Sequence, residues 1–545
     1  MADASFDVVI VGGGNKGLIL GMYLARYGGM SVGIFERRHE AGGGWSTDEG
    51  AAPGFLADYH CAGVGYVYNL TTQLDFPEWR ELGGGLTNPK IACGGIFKED
   101  DSCVALYSKS ADPNWELTAK SIAQFSGRDA ETWIRLENLY RDVMSPYFLE
   151  FLLNPPPPVG EPDAMDKLLK DPKAGIDPSW IFKTPLEVLS ETFESDAFIA
   201  FLIKQVYSGI VAAADSSGMG LHVLLAALGL PYTRGVVGGT HSWAHAAVKI
   251  FLGDSGKIFN KREVEKVLIE DSRAKGVRLA DGSEIEAKKL VVSTLDPYNL
   301  CFKLIGKEHF NWQTLRKVER LERRETCITW YTWALHEPPH YIAARENPDI
   351  DSTAMLDITS KDPEMTSRLK AMRQAGIMPR GDDLDLMFLQ HNCVDKTRAP
   401  EGKCAILSEQ FVLPANALSE KEWLEFKKVH AEDTIKEWGK HAPNMTWDNV
   451  IGYVPLTPYD CCHLPNMAPT GNWAIIDDGI PSQYGRHRPV PELARHKTPI
   501  QNLYATGSAW PPYGDGASWQ GYNCYKIIAE DFGLRKPWEE QGRLW

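Results

Sequence analysis

A glycine-rich segment near the start of the chain has the residue spacing of a phosphate-binding loop. Gly12, Gly14 and Gly17 fit the pattern GxGxxG, and Glu36 stands nineteen residues after Gly17. In this pattern the first glycine permits a tight turn, the second lets the backbone approach a pyrophosphate, and the third lets a helix pack closely on a strand. A carboxylate at the position of Glu36 can accept hydrogen bonds from ribose hydroxyls. The spacing therefore predicts a dinucleotide site.

The segments around the loop have the patterns of the elements that such a site needs. The β-branched run 7–11 predicts a strand buried on both faces, and residues 18–27 predict a helix whose N-terminus would face the phosphates. Residues 31–35 predict a second strand that ends at Glu36. GxGxxG alone would also suit an ordinary glycine-rich turn, but the flanking strand and helix favour the nucleotide site. An acid at Glu36 disfavours a 2′-phosphate, so NADP is disfavoured while FAD and NAD both stay open.

A second glycine cluster, Gly43 and Gly44 followed by Trp45, comes just after the second predicted strand. With this cluster and three later blocks, the sequence resembles the FAD-dependent amine oxidase superfamily, and within it the group of phytoene desaturases, carotenoid isomerases and retinol saturases. The later blocks lie within residues 238–251, 258–297 and 502–531. The arginine that many amine oxidases carry after the paired glycines is absent, which disfavours an amine oxidase. The resemblance implies an FAD fold and leaves the substrate unspecified.

The resemblance implies an α/β fold class, with a Rossmann-type, glutathione-reductase-like FAD domain and a discontinuous mixed α+β substrate domain. The motif blocks predict a discontinuous FAD-binding domain made of residues 1–70, 235–300 and 451–545. The stretches without them predict a substrate-binding cap domain made of residues 71–234 and 301–450. Within the cap, the residue pattern predicts helices over 129–153, interrupted near Pro146, and over 420–438.

The resemblance also assigns cofactor contacts, residue by residue. It places the backbone of Val264 against adenine, and it places the helix that restarts after Gly516 at the pyrimidine end of the isoalloxazine ring. The residues expected to bind the cofactor are Gly12, Gly14, Asn15, Lys16, Gly17, Glu36, Arg37, Gly43, Gly44, Trp45, Val264, Gly507, Ser508, Gly516, Ala517, Ser518, Trp519 and Gln520.

The residues that could transfer a proton are indicated less clearly by the sequence than the cofactor-binding residues are. Tyr513 and Asp515 stand where relatives usually carry a proline, three glycines and an apolar residue, so they either line the redox face or fill a widened loop. His60 and His241 lie beside motif blocks, although a lone histidine is more often a satisfied structural group. Asp515, Tyr513, His60 and His241 are the candidate catalytic residues. The histidines have no metal-ligand spacing with acids or cysteines, so we expect no metal.

The amino-acid composition and the motifs that the sequence lacks limit which molecules the protein can bind and where its electrons can go. The 57 Lys and Arg against 72 Asp and Glu leave a formal net charge of −15, which argues against nucleic acid as a partner because its phosphates need a basic surface. The 17 Trp, 20 Tyr and 20 Phe suit a cavity for a small apolar substrate, although a chain of this size has an aromatic core in any case. The sequence has neither a second dinucleotide motif nor a CxxxxC pair. We therefore expect electrons to pass to oxygen, a quinone or a carrier protein.

The expected location is cytoplasmic, because no basic segment with a cleavage site precedes the first strand and no apolar stretch reaches about 20 residues. Peripheral contact with a membrane stays open. The expected function is that of a phytoene desaturase-like, FAD-dependent dehydrogenase or desaturase that removes hydride from an apolar substrate such as a terpenoid, polyene or alicyclic compound. One alternative is a saturase or isomerase that uses reduced FAD. Another is a non-catalytic lipid-binding escort of the GDP-dissociation-inhibitor type.

Overall fold

A computed structural model of the protein describes residues 3–65, 67–463, 467 and 469–545. Their strands, in chain order, are β1 Ala4–Val11, β2 Val32–Phe35, β3 Thr47–Asp48, β4 Ala57–Asp58, β5 Val64–Gly65, β6 Ile91–Phe97, β7 Cys103–Tyr107, β8 Thr233–Arg234, β9 Lys257–Phe259, β10 Val264–Glu270, β11 Arg273–Leu279, β12 Glu284–Ser293, β13 Ile328–Leu335, β14 Thr353–Thr359, β15 Leu386–Leu389, β16 Cys404–Phe411, β17 Val450–Leu456 and β18 Leu503–Ala505.

The α-helices of the same residues connect and cover these strands. They are α1 Asn15–Arg26, α2 Leu70–Asp75, α3 Glu116–Ile122, α4 Gly127–Leu139, α5 Ser145–Leu153, α6 Ala164–Lys170, α7 Pro185–Thr192, α8 Asp196–Ile210, α9 Gly220–Ala227, α10 His241–Gly253, α11 Pro297–Asn299, α12 Trp312–Glu319, α13 Met365–Gln374, α14 Glu420–His441, α15 Pro458–His463, α16 Trp519–Phe532 and α17 Pro537–Glu540.

The first sheet has the strand order β10-β11-β12-β1-β2-β9, and β18 pairs with β12. The strand β1 runs parallel to both β12 and β2, while β10, β11 and β12 form an antiparallel meander. Val8, Val9 and Ile10 are fully buried, as expected for a strand covered on both faces. Parallel strands end at one common edge of the sheet, so the loops after β1, β2, β12 and β18 meet there. The predicted Rossmann-type fold class is confirmed.

The second sheet has the order β17-β13-β16-β15-β14-β6-β7. One of its faces packs against α14, where Trp333 and Phe388 contact Trp438. On the other face, Trp330 pairs with Glu409 of the neighbouring strand, and Glu409 pairs with Met387 of the next. Residues that face one another across paired strands point to the same side of a sheet. This second face is therefore available to line a site.

The helices of the second region follow the sequence pattern, with one difference at Pro146. The predicted interruption is a π-helical turn, Tyr140–Met144, which separates α4 from α5. Pro146 lies in the first turn of α5, where a residue without an N–H costs no helical hydrogen bond. The helix predicted over 420–438 is α14, which begins with a capping box of Ser419 and Glu422 and extends to His441. None of the helices in the described ranges is both long and apolar enough to cross a membrane.

The strands of the first sheet come from residues 4–35, 257–293 and 503–505, and those of the second come from residues 91–107 and 328–456. The first group lies inside the predicted FAD-binding ranges. In the second group, β17 begins at the predicted boundary and continues beyond it. The division of the chain into two domains at the predicted boundaries stays a prediction.

Candidate functional site

A cavity of about 850 Å³ begins at the carboxyl edge of the first sheet and reaches the second sheet. Most of the residues predicted to bind the cofactor line it. These are Gly12, Gly14, Asn15, Lys16, Gly17, Glu36, Arg37, Gly43, Gly44, Val264, Gly507, Ser508 and Gly516. Of the catalytic candidates, His60, Tyr513 and Asp515 also line the cavity. The structure thus brings together residues that are far apart in the sequence.

The three motif glycines are required for different reasons. A Cβ on Gly12, where φ is +94°, would lie 2.3 Å from the Thr294 Oγ1, and a Cβ on Gly17 would lie 2.4 Å from the Gly12 carbonyl oxygen. Gly14 has φ −64° and ψ 172°, which any residue adopts. A Cβ there would meet only the Gly43 Cα, at 4.0 Å. Gly12 and Gly17 are therefore needed by the fold, whereas Gly14 keeps free the space in front of the N-terminus of α1.

The predicted ribose acid is fixed at the end of β2. The Gly13 N–H donates to one oxygen of the Glu36 carboxylate at 2.7 Å, and the Arg38 N–H donates to the other at 2.8 Å. These bonds hold the carboxylate in the cavity wall, between the glycine loop and the first residue of β10, Val264. The arrangement matches the one predicted for the adenosine half of a dinucleotide.

A buried ion pair supports the opposite wall, residues 507–516. The Arg488 guanidinium lies 2.5 Å from the Asp478 carboxylate, and both side chains are fully buried. Arg488 also donates to the Ser508 carbonyl at 2.8 Å, and the Gly514 N–H donates to Asp478 at 3.1 Å. Burial acts to raise the pKa of Asp478, and the Arg488 guanidinium beside it opposes the rise. Sequence reasoning missed this pair, because no local motif marks two residues that act on a loop further along the chain.

Asp515 is held in this wall by two neighbours. The Tyr68 hydroxyl donates to the Asp515 carboxylate, and the Lys16 ammonium donates to the Asp515 carbonyl. Burial raises the pKa of Asp515 to about 6, although the Tyr68 hydrogen bond opposes this. Burial lowers the pKa of Lys16 to about 8. Tyr513 stacks on Tyr484 with ring centroids 5.5 Å apart, and burial raises its pKa. Tyr68 was missed from the sequence, since it lies 447 residues from Asp515.

We expect Asp515→Asn to change how stability depends on pH. A carboxyl whose pKa is raised on folding stabilises the protein fully below the unfolded value of 3.8, and this contribution is lost as pH rises through about 6. Asparagine stays neutral throughout. Between pH 4 and pH 7, the free energy of unfolding of the variant should therefore rise relative to wild type by about 2 to 3 kcal/mol. Urea unfolding at each pH measures this, and a pH-independent difference would contradict the assignment.

His60 lies between the two sheets. Its ring meets the Trp330 ring edge-on at 4.7 Å, and its Nδ1 is buried without a hydrogen-bond partner among the residues that the structure describes. Burial lowers the pKa of His60 to about 3, with a smaller effect of Arg38 in the same direction. The imidazole is therefore neutral near pH 7, so it can accept or donate a hydrogen bond inside the cavity but carries no charge there.

The remaining predicted residues do not line the cavity. His241 lies 3.3 Å from the Glu40 carboxylate and packs against the His245 ring. The others support the wall from behind. The Trp45 indole N–H donates to the Gly516 carbonyl at 2.6 Å, and the Ala517 carbonyl accepts from Asn15 at 3.4 Å. The Ser518 hydroxyl donates to the Tyr68 carbonyl at 2.6 Å, the Trp519 ring meets the Tyr68 ring at 5.2 Å, and the Gln520 side chain donates to the Tyr513 carbonyl at 2.7 Å.

The far end of the cavity is mainly apolar. The second sheet contributes the side chains of Ile328, Trp330, Met355, Met387, Leu389 and Glu409, and α8 and the segment after α9 contribute those of Val206, Ile210 and Leu230. The sequence predicts a cavity for a small apolar substrate but identifies none of these residues. The strands that carry them are paired over long sequence separations, which periodicity does not reveal.

Comparisons with known proteins agree with this architecture. Residues 10–64 match the family described as NAD(P)-binding Rossmann-like domain. A limonene dehydrogenase chain of Castellaniella defragrans is 25% identical over 566 residues, covering 98% of this chain and 96% of that protein. The crystal structure of an oxidoreductase from Methanosarcina mazei has a TM-score of 0.60 at 16% identity and covers 96% of this chain and 99% of that one. A variant of putrescine oxidase has a TM-score of 0.58 at 15% identity, covering 97% of this chain and 98% of that one.

The residues present fit FAD. The free space at Gly14 suits a pyrophosphate on the N-terminus of α1, and the fixed Glu36 carboxylate suits a ribose. Gly44, where a Cβ would meet nothing within 4 Å, leaves the adjoining part of the cavity open for the flavin. The resemblance and the cofactor predicted from the sequence are confirmed. The chain thus carries an NAD(P)-binding Rossmann-like domain, is similar over nearly its whole length to a limonene dehydrogenase subunit, and shares the fold of putrescine oxidase.

Proposed function

We propose that the protein is a phytoene desaturase-like, FAD-dependent dehydrogenase or desaturase that removes hydride from an apolar terpenoid, polyene or alicyclic substrate. The observation that carries the proposal is the continuity of the cavity, which joins the phosphate loop at Gly14 to the apolar chamber under the second sheet. Side chains such as Met355 and Leu389 favour a carbon-rich ligand, because contact with it removes apolar surface from water. The similarity to a limonene dehydrogenase supports the terpenoid class.

The chain's own residues would bind, orient and enclose the reactants. When bound, FAD supplies the acceptor for the hydride. We propose that the motif-bearing ranges 1–70, 235–300 and 451–545 hold it and that the remaining ranges cover the substrate. Asp515, Tyr513 and His60 lie in the wall and are the groups that could take or return a proton beside the substrate. Oxygen, a quinone or a carrier protein is the proposed final electron acceptor.

The flavin absorbance of the purified protein tests this function. Under anaerobic conditions, we expect a terpenoid, polyene or alicyclic compound to bleach the flavin bands, while a primary amine of similar size leaves them unchanged. Bleaching by the amine alone would overturn the proposal in favour of an amine oxidase. Bands that no compound bleaches, but that recover when a polyene is added to chemically reduced protein, would favour the saturase reaction. A protein that takes up no FAD would favour a lipid-binding escort.

A further inference from the structure

Glu409 of the second sheet places a carboxyl group in the wall of the apolar chamber. Glu409 stands between Trp330 and Met387 in a row of directly paired residues on β13, β16 and β15. All three side chains line the cavity, so the register turns the Glu409 carboxyl toward the chamber. Only 8% of the surface of Glu409 is exposed to solvent. A carboxyl placed among Met, Leu and Trp side chains is costly to desolvate, so it calls for a polar partner.

The charged groups near Glu409 do not supply a full counter-charge. The Lys204 ammonium lies 3.2 Å from the Asp385 carboxylate and donates to the Asp385 carbonyl at 2.8 Å. Asp357 is fully buried, and both its carboxyl oxygens have no hydrogen-bond partner among the described residues. Among the residues that the structure describes, a single ammonium, that of Lys204, thus faces the carboxyl groups of Asp357, Asp385 and Glu409. Charge balance in this region favours the neutral form of at least one of them.

The protonation state of Glu409 follows from these surroundings. Burial raises its pKa to about 8, while Lys204 and the Trp330 indole oppose the rise and Asp357 adds to it. Burial raises the pKa of Asp357 to about 7. Near pH 7 the Glu409 carboxyl therefore carries its proton and is a hydrogen-bond donor.

We infer that Glu409 is a specificity-determining residue that donates a hydrogen bond to one oxygen of an otherwise apolar substrate. The inference rests on the proposed function and narrows it: the chamber selects an oxygenated terpenoid or alicyclic compound, an alcohol or a ketone, over the hydrocarbon with the same skeleton. A ligand oxygen satisfies the buried donor, whereas a hydrocarbon leaves it unpaired. His60, whose Nδ1 is also without a partner in the described structure, lies beside Trp330 in the same chamber and is available to a hydroxyl.

Binding of limonene and carvone tests the inference, because the two compounds share a skeleton and carvone adds a ketone oxygen. Binding to the oxidised holoprotein is measured by the change in tryptophan fluorescence, to which Trp330 contributes, and by perturbation of the flavin bands. At pH 7 we expect wild type to bind carvone at least tenfold more tightly than limonene. Glu409→Leu should bring the ratio close to one, and Glu409→Gln, which keeps an N–H donor, should preserve most of it.

A control variant and a pH series show whether a change in the binding ratio comes from the lost hydrogen bond or from altered packing. Met387→Leu, the neighbour in the same row, should shift both affinities together and leave their ratio unchanged. Above pH 9 the wild-type preference should fall while that of Glu409→Gln persists. The other titratable groups facing Glu409 are Lys204, Asp357 and Cys61, and the glutamine variant retains all three, so its behaviour isolates Glu409.

A wild-type ratio near one, or an unchanged ratio in Glu409→Leu, would overturn the inference even if limonene bleaches the flavin. Failure of the proposed function gives a different result: the tenfold ratio would be present, but no terpenoid alcohol or hydrocarbon would bleach the flavin. If neither limonene nor carvone binds, both the inference about Glu409 and the proposed function are overturned.

Discussion

Gly14→Leu is expected to give a folded protein that holds no flavin. The backbone at Gly14 is in a conformation that any residue adopts, and a Cβ would point into free space of the cavity. The apoprotein therefore tolerates the side chain, but leucine fills the space in front of the N-terminus of α1 where the pyrophosphate would lie. We expect FAD affinity to fall by at least a hundredfold. Flavin absorbance relative to protein absorbance, together with circular dichroism, measures both effects.

Gly17→Ala is the matched control, because it lies in the same motif and faces the protein instead of the cavity. Its Cβ would lie 2.4 Å from the Gly12 carbonyl oxygen. This clash forces the helix away from β1, so we expect a lower unfolding temperature as well as weaker flavin binding. A fully yellow Gly14→Leu protein would contradict the placement of the cofactor. Equal loss of fold in the two variants would show that Gly14 has a structural role only.

The cofactor side of the molecule could be predicted from the sequence because its signals are local. The loop 12–17 and the acid Glu36 lie within one strand-helix-strand unit, where residue spacing alone determines the geometry. The antiparallel meander 264–293 is similarly short in sequence. In each case the residues that must meet are separated by a single turn or helix, so their relative positions follow from element type.

The substrate side could not be predicted in the same way, because its contacts join distant strands. Glu409 faces the chamber only because β16 lies between β13 and β15, an order that no local pattern specifies. Tyr68 and Asp515 likewise meet across almost the whole chain. His241 illustrates the opposite problem: it stands next to a recognised block, yet the structure directs it to Glu40. Nearness to a motif in sequence does not place a side chain in the cavity.

The second large effect is expected at Arg398, whose side chain is almost fully buried. Its guanidinium lies 2.7 Å from the Asp58 carboxylate and 3.3 Å from the Asp395 carboxylate. Asp58 also accepts from the Thr240 N–H at 2.8 Å, and Asp395 accepts from the Gly238 N–H at 2.7 Å. The arginine thus connects the segment after the second glycine cluster, which holds Asp58, with the motif block 238–251 and the strand-rich region of the predicted cap.

We expect Arg398→Met to lower the free energy of unfolding by about 3 to 5 kcal/mol, because methionine removes the guanidinium that lies beside two buried carboxylates. Arg398→Lys should lose less, since an ammonium keeps the charge but cannot bond both carboxylates with a planar fork. Urea unfolding, followed by tryptophan fluorescence and by flavin release, measures the change and shows whether both regions unfold together.

A double substitution separates the effect of charge from lost packing. In Arg398→Met combined with Asp58→Asn, one of the two carboxylates that Arg398 contacts becomes a neutral amide, so the double variant should be more stable than Arg398→Met alone. If packing dominates, the asparagine adds its own cost and the double variant is less stable. The first outcome would show that Arg398 stabilises the protein chiefly by neutralising the acids where these three chain segments meet. The second would contradict this role and make the arginine a space-filling residue.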